Sequence, residues 1–337
     1  MASFFFILSL VLSACENDQV QLTPVNINGA TMGTTYRLTV LLNESQMTRS
    51  VEKLRGEVDA ELALINRQMS TYIGSSELMV LNAKPVGEWI QVSDDLFNIL
   101  VLSARINDLT GGAFDITIGP LVELWGFGAT QQEDRVPNAE VITRQKLLTG
   151  FKHLEFDVSR NAVYKKQDIQ LDLSAIAKGH GADRVASVLD ANQINDYLVE
   201  IGGEIRLKGN SPRGTPWRIG IETPTLMQGN TQRAISVIDK GVATSGDYRN
   251  FFELDGKRYS HTIDPRTGWP VDHQLASVTV IASSTAEADA LATGFTVLGA
   301  EKAKVVADEH GVAAFFVQRD GDTFVESHSA EFEQYLK

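Results

Sequence analysis

Between residues 197 and 282 the chain carries four strand-like segments in succession: YLVEI (197–201), WRIGIE (217–222), AISVI (234–238) and ASVTVIA (276–282). No helix-length pattern separates them. Parallel strands need crossovers of a dozen or more residues, usually helical, so this run argues against a doubly wound sheet and for an α+β fold. Helical periodicity lies elsewhere. Val51, Leu54, Val58, Leu62, Ile65 and Met69 recur every three or four residues. A second helix is expected after Ser93 as N-cap, with Leu96, Leu100 and Leu109 along it and Gly111-Gly112 as a stop. TYRLTVLL (35–42) reads as a strand, and helical patterns recur at 178–191 and 285–308. No internal repeat or low-complexity linker marks a boundary, so residues 26–337 are read as one domain.

The net charge of -13 and pI of about 5.0 leave no basic footprint for nucleic acid. Any anionic substrate must find a local cation. Residues 4–12 are apolar, long enough for a signal-peptide core and too short to span a bilayer as a helix. They lead into Leu12-Ser13-Ala14-Cys15, which resembles the lipobox of bacterial lipoproteins, although no Lys or Arg precedes Phe4. Cys15 is the single cysteine of the chain, so an internal disulfide is impossible. The expectation is a signal peptide over 1–15, acylation at Cys15, and a polar tether over 16–25 that holds the protein on the periplasmic side of a bacterial membrane.

Four stretches carry candidate chemistry. In SSTAEADALATGF (283–295), Ser284 and Glu287 have the spacing of a capping box. A helix starting there puts Asp289 and Thr293 on one face, two hard oxygen donors suited to Mg²⁺ or Ca²⁺; a surface Asp beside a Thr bonded back to a carbonyl has the same spacing. Gly294 weakens such a helix and implies a close approach by something bulky. In LDLSAIAKGHGADRVASVLD (171–190), a short strand ending at Asp172 is expected to turn into a helix, with Lys178 beside its N-terminus and Gly179 and Gly181 allowing close contact. The spacing fits neither a Walker loop nor a dinucleotide fingerprint, and a plain strand-to-helix turn reads the same way. GGAFDITIGPLVELWGFG (111–128) suits either a wall against a flat ligand or ordinary core. In YSHTIDPRTGWP (259–270), Asp, Pro and Gly favour a turn whatever its use. The absence of an H-E-x-x-H motif, a Cys/His cluster or a Ser-His-Asp order leaves zinc and hydrolase triads unsupported.

Taken in order, MGTTY (32–36), STY (70–72), AFDITIGPLVELWGFG, DLSAIAKGHGADRV, VEIGGEIRLKG, ATSGDYRNFFELDGKRYSHTIDPRTGWPV and EADALATGF resemble one family, the FAD:protein FMN transferases or ApbE family, over about residues 28 to 300. The resemblance implies a T-fold-related α+β domain with two lobes around a flavin cleft. It implies Mg²⁺-dependent transfer of FMN from FAD to a Ser or Thr hydroxyl, with release of AMP. The acceptors it implies are subunits of the sodium-pumping NADH:quinone reductase or related membrane redox complexes.

Residue by residue, the resemblance implies a metal site of Asp289, Thr293 and the carbonyl of Ala175. Met32, Tyr72, Ala113, Phe114, Asp115, Asp172, Lys178 and His261 match positions around FAD. Attack by a hydroxyl needs a base, and His261 and Asp289 are both candidates. Two other readings use the same residues: an FAD pyrophosphatase with water as nucleophile, and a lipid-anchored flavin carrier without chemistry.

Overall fold

The structure is a computed structural model that describes residues 21–48, 51–130, 135–224, 231–246 and 250–336. Its frame is an 8-stranded sheet of β1 (Thr23–Thr31), β2 (Thr34–Leu42), β3 (Tyr197–Ile201), β4 (Glu204–Lys208), β5 (Gly241–Gly246), β6 (Leu275–Ala282), β7 (Ala313–Asp320) and β8 (Thr323–His328). Spatial order repeats chain order, and every neighbouring pair is antiparallel. The α+β class expected from the consecutive strands is what is observed. Strand β1 begins at Thr23, so the last residues of the expected tether already belong to the sheet.

Helices α1 (Val51–Met69), α2 (Asp94–Leu109), α3 (Ala177–Ala191), α4 (Thr285–Leu298) and α5 (Ala300–His310) are threaded between these strands. Side chains alternate across a strand, and β7 shows where they go. Ala314 and Phe316 join the core with Leu54, Val185 and Leu291 of the helices. Phe315 and Val317 join a second cluster with Trp217, Ile235 and Phe332, under the hairpin of Trp217–Glu222 and Thr231–Val237. β6 is buried on both faces, which is why its only polar side chains are the small Ser277 and Thr279.

A third, smaller cluster of Leu121, Trp125, Ile142, Phe252 and Ile263 gathers residues 119–128, the helix Ala139–Lys146 and the hairpin Phe251–Leu254/Lys257–Ser260 into a lobe beside the sheet. Two tight hairpins shape the other side. β1 and β2 are joined by Met32 and Gly33, with φ of 48° and 70°; β3 and β4 are joined by Gly202 and Gly203, with φ of 60° and 108°. Positive φ at both central residues is the type I′ habit that matches strand twist.

Two expectations are corrected. The pattern at 285–308 is two helices, because Gly299 between them takes φ of 77°, a conformation that ends α4. No strand ends at Asp172: residues 168–173 belong to no strand. The amide of Leu171 donates instead to the Asn82 side chain (2.8 Å), and that of Asp172 to the Ile116 carbonyl (2.8 Å).

Helices α3 and α4 meet at their N-terminal ends, where a Cβ on Gly179 would lie 2.4 Å from the Thr285 carbonyl oxygen. Gly179→Ala is expected to destabilise the protein by about 1–3 kcal/mol through overpacking. Gly56, inside α1 with nothing within 4 Å of an added Cβ, should gain about 0.5–1 kcal/mol on substitution by Ala. Urea unfolding of the two variants checks both signs.

Candidate active site

The sheet end of the molecule and the small lobe enclose a cavity of about 430 Å³. Its walls include Tyr72, Ala113, Phe114, Asp115, Asp172, Ala175, Lys178, His261, Asp289 and Thr293, ten residues singled out in the sequence and now brought together. Met32 stands apart. In its hairpin turn it lines an adjoining cavity of about 200 Å³ that shares Tyr72, Ser174 and Lys178 with the first. Its thioether packs over Gly181, where an added Cβ would meet Met32 Cε at 3.0 Å. Cys15 lies outside the described residues.

Local chemistry explains each placement. Ser284 caps α4 by accepting the Glu287 amide (3.2 Å). The Glu287 carboxylate does not close the box; it binds Ser283 (2.7 Å) and Arg105 (2.8 Å). One turn on, Asp289 and Thr293 face the cavity together. Gly294 accommodates Thr110 and Phe114, whose atoms would lie 2.8 and 3.1 Å from an added Cβ. Phe114 is thereby fixed: its amide donates to Thr110 Oγ1 (3.0 Å) and its carbonyl accepts from Asn107 Nδ2 (2.7 Å). Asp115 caps the short 3₁₀ turn Ile116–Ile118 by accepting the Thr117 amide (2.8 Å) and hydroxyl (2.7 Å). In the 111–128 stretch the two readings divide by residue. Phe127 lines the cavity. Trp125 is core, and its indole N–H donates to the Gly268 carbonyl (3.0 Å), pinning the 259–270 turn.

The electrostatics centre on three side chains. Asp289 is 5% exposed, and its Oδ2 accepts the Gly179 amide at 3.0 Å. Lys178 forms an ion pair with Glu204. Burial raises the pKa of both carboxylates, against the opposing pull of the Lys178 charge. Burial pulls the Lys178 ammonium down, but Asp289 and Glu204 outweigh it, so its pKa stands above the usual lysine value. His261 accompanies them at the lobe side, its Nδ1 2.9 Å from the Asn250 carbonyl and its ring edge-on to Phe127. A carbonyl only accepts, so Nδ1 carries a proton and Nε2 is the basic nitrogen of the neutral ring.

Glu204, Thr244, Ser245 and Asn250 also line the cavity and were not singled out in the sequence. A signal existed for Glu204: the Gly202-Gly203 pair between two strand-like runs is a hairpin signature that fixes where the next residue falls. Among the described lining residues, four carboxylates (Asp115, Asp172, Glu204, Asp289) face one ammonium (Lys178).

Residues 32–316 match the ApbE family. The chain belongs to the ApbE family. It is 42% identical over 328 residues to the FAD:protein FMN transferase of Vibrio cholerae serotype O1, covering 97% of this chain and 96% of that one. Against the FAD:protein FMN transferase of Haemophilus influenzae it is 39% identical over 332 residues, covering 97% and 95%. Among solved structures, the flavin transferase ApbE from Vibrio cholerae aligns with a TM-score of 0.86 at 41% identity, over 94% of this chain and 100% of that one. The apo flavinyl transferase ApbE of Pseudomonas stutzeri gives the same TM-score of 0.86 at 41% identity, over 95% and 98%. The ApbE match spans every residue that lines the cavity.

Behind the site, His180 of α3 is 8% exposed and its Nε2 has no hydrogen-bond partner. Burial lowers its pKa to about 4, with Arg184 adding to the effect and Asp95 opposing it. The unfolded chain takes up this proton near pH 6.5 and the folded chain only near pH 4, so stability falls as pH drops through that window. The loss approaches about 3 kcal/mol at its acid end. Urea midpoints measured at pH 7, 5 and 4 should show a shallower acid decline for His180→Gln than for the wild type.

Proposed function

We propose that this ApbE-family chain is a Mg²⁺-dependent FAD:protein FMN transferase that moves the FMN half of FAD onto a Ser or Thr hydroxyl of an acceptor protein and releases AMP. The observation that carries the reading is the charge of the cavity. Four carboxylates against one ammonium repel a pyrophosphate, so an anionic dinucleotide needs a divalent cation to enter.

The residues present fit Mg²⁺. Asp289, the Thr293 hydroxyl and the Ala175 carbonyl offer hard oxygens on one side of the cavity. Among the described residues no three His, Cys, Asp or Glu side chains form a metal cluster. Mg²⁺ needs none, being bound through one or two carboxylates with substrate phosphates and water. When bound, it offsets the charge that builds on the phosphate oxygens during transfer.

The chain's own groups do the rest. Tyr72, Ala113, Phe114, Asp115 and Asp172 bound the space for FAD, with Met32 beside it, and Lys178 supplies the fixed positive charge. His261 Nε2 takes the proton as the acceptor oxygen forms its bond to the FMN phosphorus. The bond from that phosphorus to the AMP oxygen breaks, and AMP leaves as the phosphate anion. Asp289, committed to the cation and to Gly179, is the weaker candidate for base.

The Leu12 to Cys15 sequence supports a lipid anchor at Cys15 on the periplasmic side of a bacterial membrane. There the acceptors would be subunits of the sodium-pumping NADH:quinone reductase or related redox complexes.

Intact-mass spectrometry of such an acceptor domain, incubated with the protein, FAD and Mg²⁺, tests the whole reading. A gain of one FMN that EDTA abolishes is expected; FAD consumed without adduct would favour the pyrophosphatase. Asp289→Asn should remove the metal-dependent gain. His261→Ala should bind FAD as the wild type does yet transfer FMN about 10²–10⁴-fold more slowly. An unchanged rate in that variant would reject His261 as the base.

A further inference from the structure

Glu204 sits in the cavity without an evident task for half of its carboxylate. The residue is 3% exposed, and the Gly202-Gly203 hairpin delivers it to the first position of β4. Oε1 pairs with Lys178, whereas Oε2 is buried and has no hydrogen-bond partner. A buried carboxylate oxygen left unsatisfied is unfavourable by more than a lost hydrogen bond, and native proteins keep such groups where an ion or ligand completes them. The charge around it agrees. Asp289 lines the same cavity, and Lys178 is the one ammonium there, so one ammonium faces two carboxylates.

We propose that Glu204 is a further ligand of the divalent cation, contributing Oε2 in addition to the Asp289, Thr293 and Ala175 oxygens. The proposal rests on the reading of Asp289 and Thr293 as cation ligands. With two carboxylates on the cation rather than one, metal binding precedes FAD instead of depending on the substrate phosphates, since affinity for hard cations rises with the number of charged ligands. Lys178, relieved of part of its carboxylate load, then turns its charge to the incoming phosphate.

The test is Mn²⁺ binding, followed by the loss of the free-ion EPR signal, on the intact protein with FAD absent and then present. Glu204→Gln is expected to weaken Mn²⁺ binding at least tenfold without FAD. Glu204→Asp should restore part of the loss, and Lys178→Met should leave binding intact or tighten it. Thermal unfolding of each variant establishes that it is folded. Wild-type affinity in folded Glu204→Gln, or a matching loss in Lys178→Met, would overturn the proposal and leave Glu204 as the residue that positions Lys178. Asp289→Asn separates the two readings. Binding lost there but kept in Glu204→Gln sinks only the present proposal. No Mn²⁺ binding by the wild type, with or without FAD, sinks both.

Discussion

Helix α3 can reach the acidic face of α4 because residue 179 has no side chain. A Cβ at Gly179 would stand 2.4 Å from the Thr285 carbonyl oxygen, and one at Gly241 would stand 2.4 Å from the Thr285 amide nitrogen. Strand β5, α3 and the start of α4 therefore close on one another as bare backbone. That closeness brings the Gly179 amide within 3.0 Å of Asp289 and sets Lys178 on the same wall. Burying a carboxylate demands hydrogen bonds and countercharge, and here both arrive from adjacent residues of one helix end. A second contact fixes the N-terminal end of α4 further: the Asp183 carboxylate accepts the amides of Thr285 and Ala286, each at 2.9 Å.

The small lobe depends on a different kind of restraint. Trp125, Tyr259, Phe252 and Phe127 stack in sequence, with ring centroids 5.1 to 5.7 Å apart, and Phe127 meets His261 edge-on. The aromatic run joins the 119–128 segment to the hairpin and its following turn, so the base candidate is held by packing as well as by Asn250. Polar contacts tune the carboxylate wall; ring packing positions the opposite one.

Much of this was legible in the chain. Strands with two buried faces or a clear alternation stood out, as did α1, whose apolar positions keep strict helical spacing. Asp289 and Thr293 were visible as a pair because the capping residue Ser284 sets the helix register. What escaped notice has a physical reason. β7 and β8 follow a helix pair that looks like one helix until Gly299 takes its left-handed φ. Residues 168–173 look like a strand because polar and apolar positions alternate along them, yet their partners are a side-chain amide and a lone carbonyl. Glu204 was hidden because its role depends on Lys178 and Asp289, which lie 26 and 85 positions away in the sequence and meet it only through the folded sheet.

A sheet whose spatial order repeats the chain order is easy to begin and slow to complete. The hairpins β1–β2, β3–β4 and β7–β8 each close over a few residues, on the fast timescale of local contacts. The seam between β2 and β3 joins Tyr36 to Ile201 across the whole α1–α3 region, and such distant pairings set the pace of folding. The cavity is assembled from both sides of that seam, with Tyr72 and Phe114 from inside the inserted stretch and Glu204 and Asp289 beyond it. Until that seam closes, the two sets of lining residues stay apart, and the cavity for a dinucleotide is the last thing the fold completes.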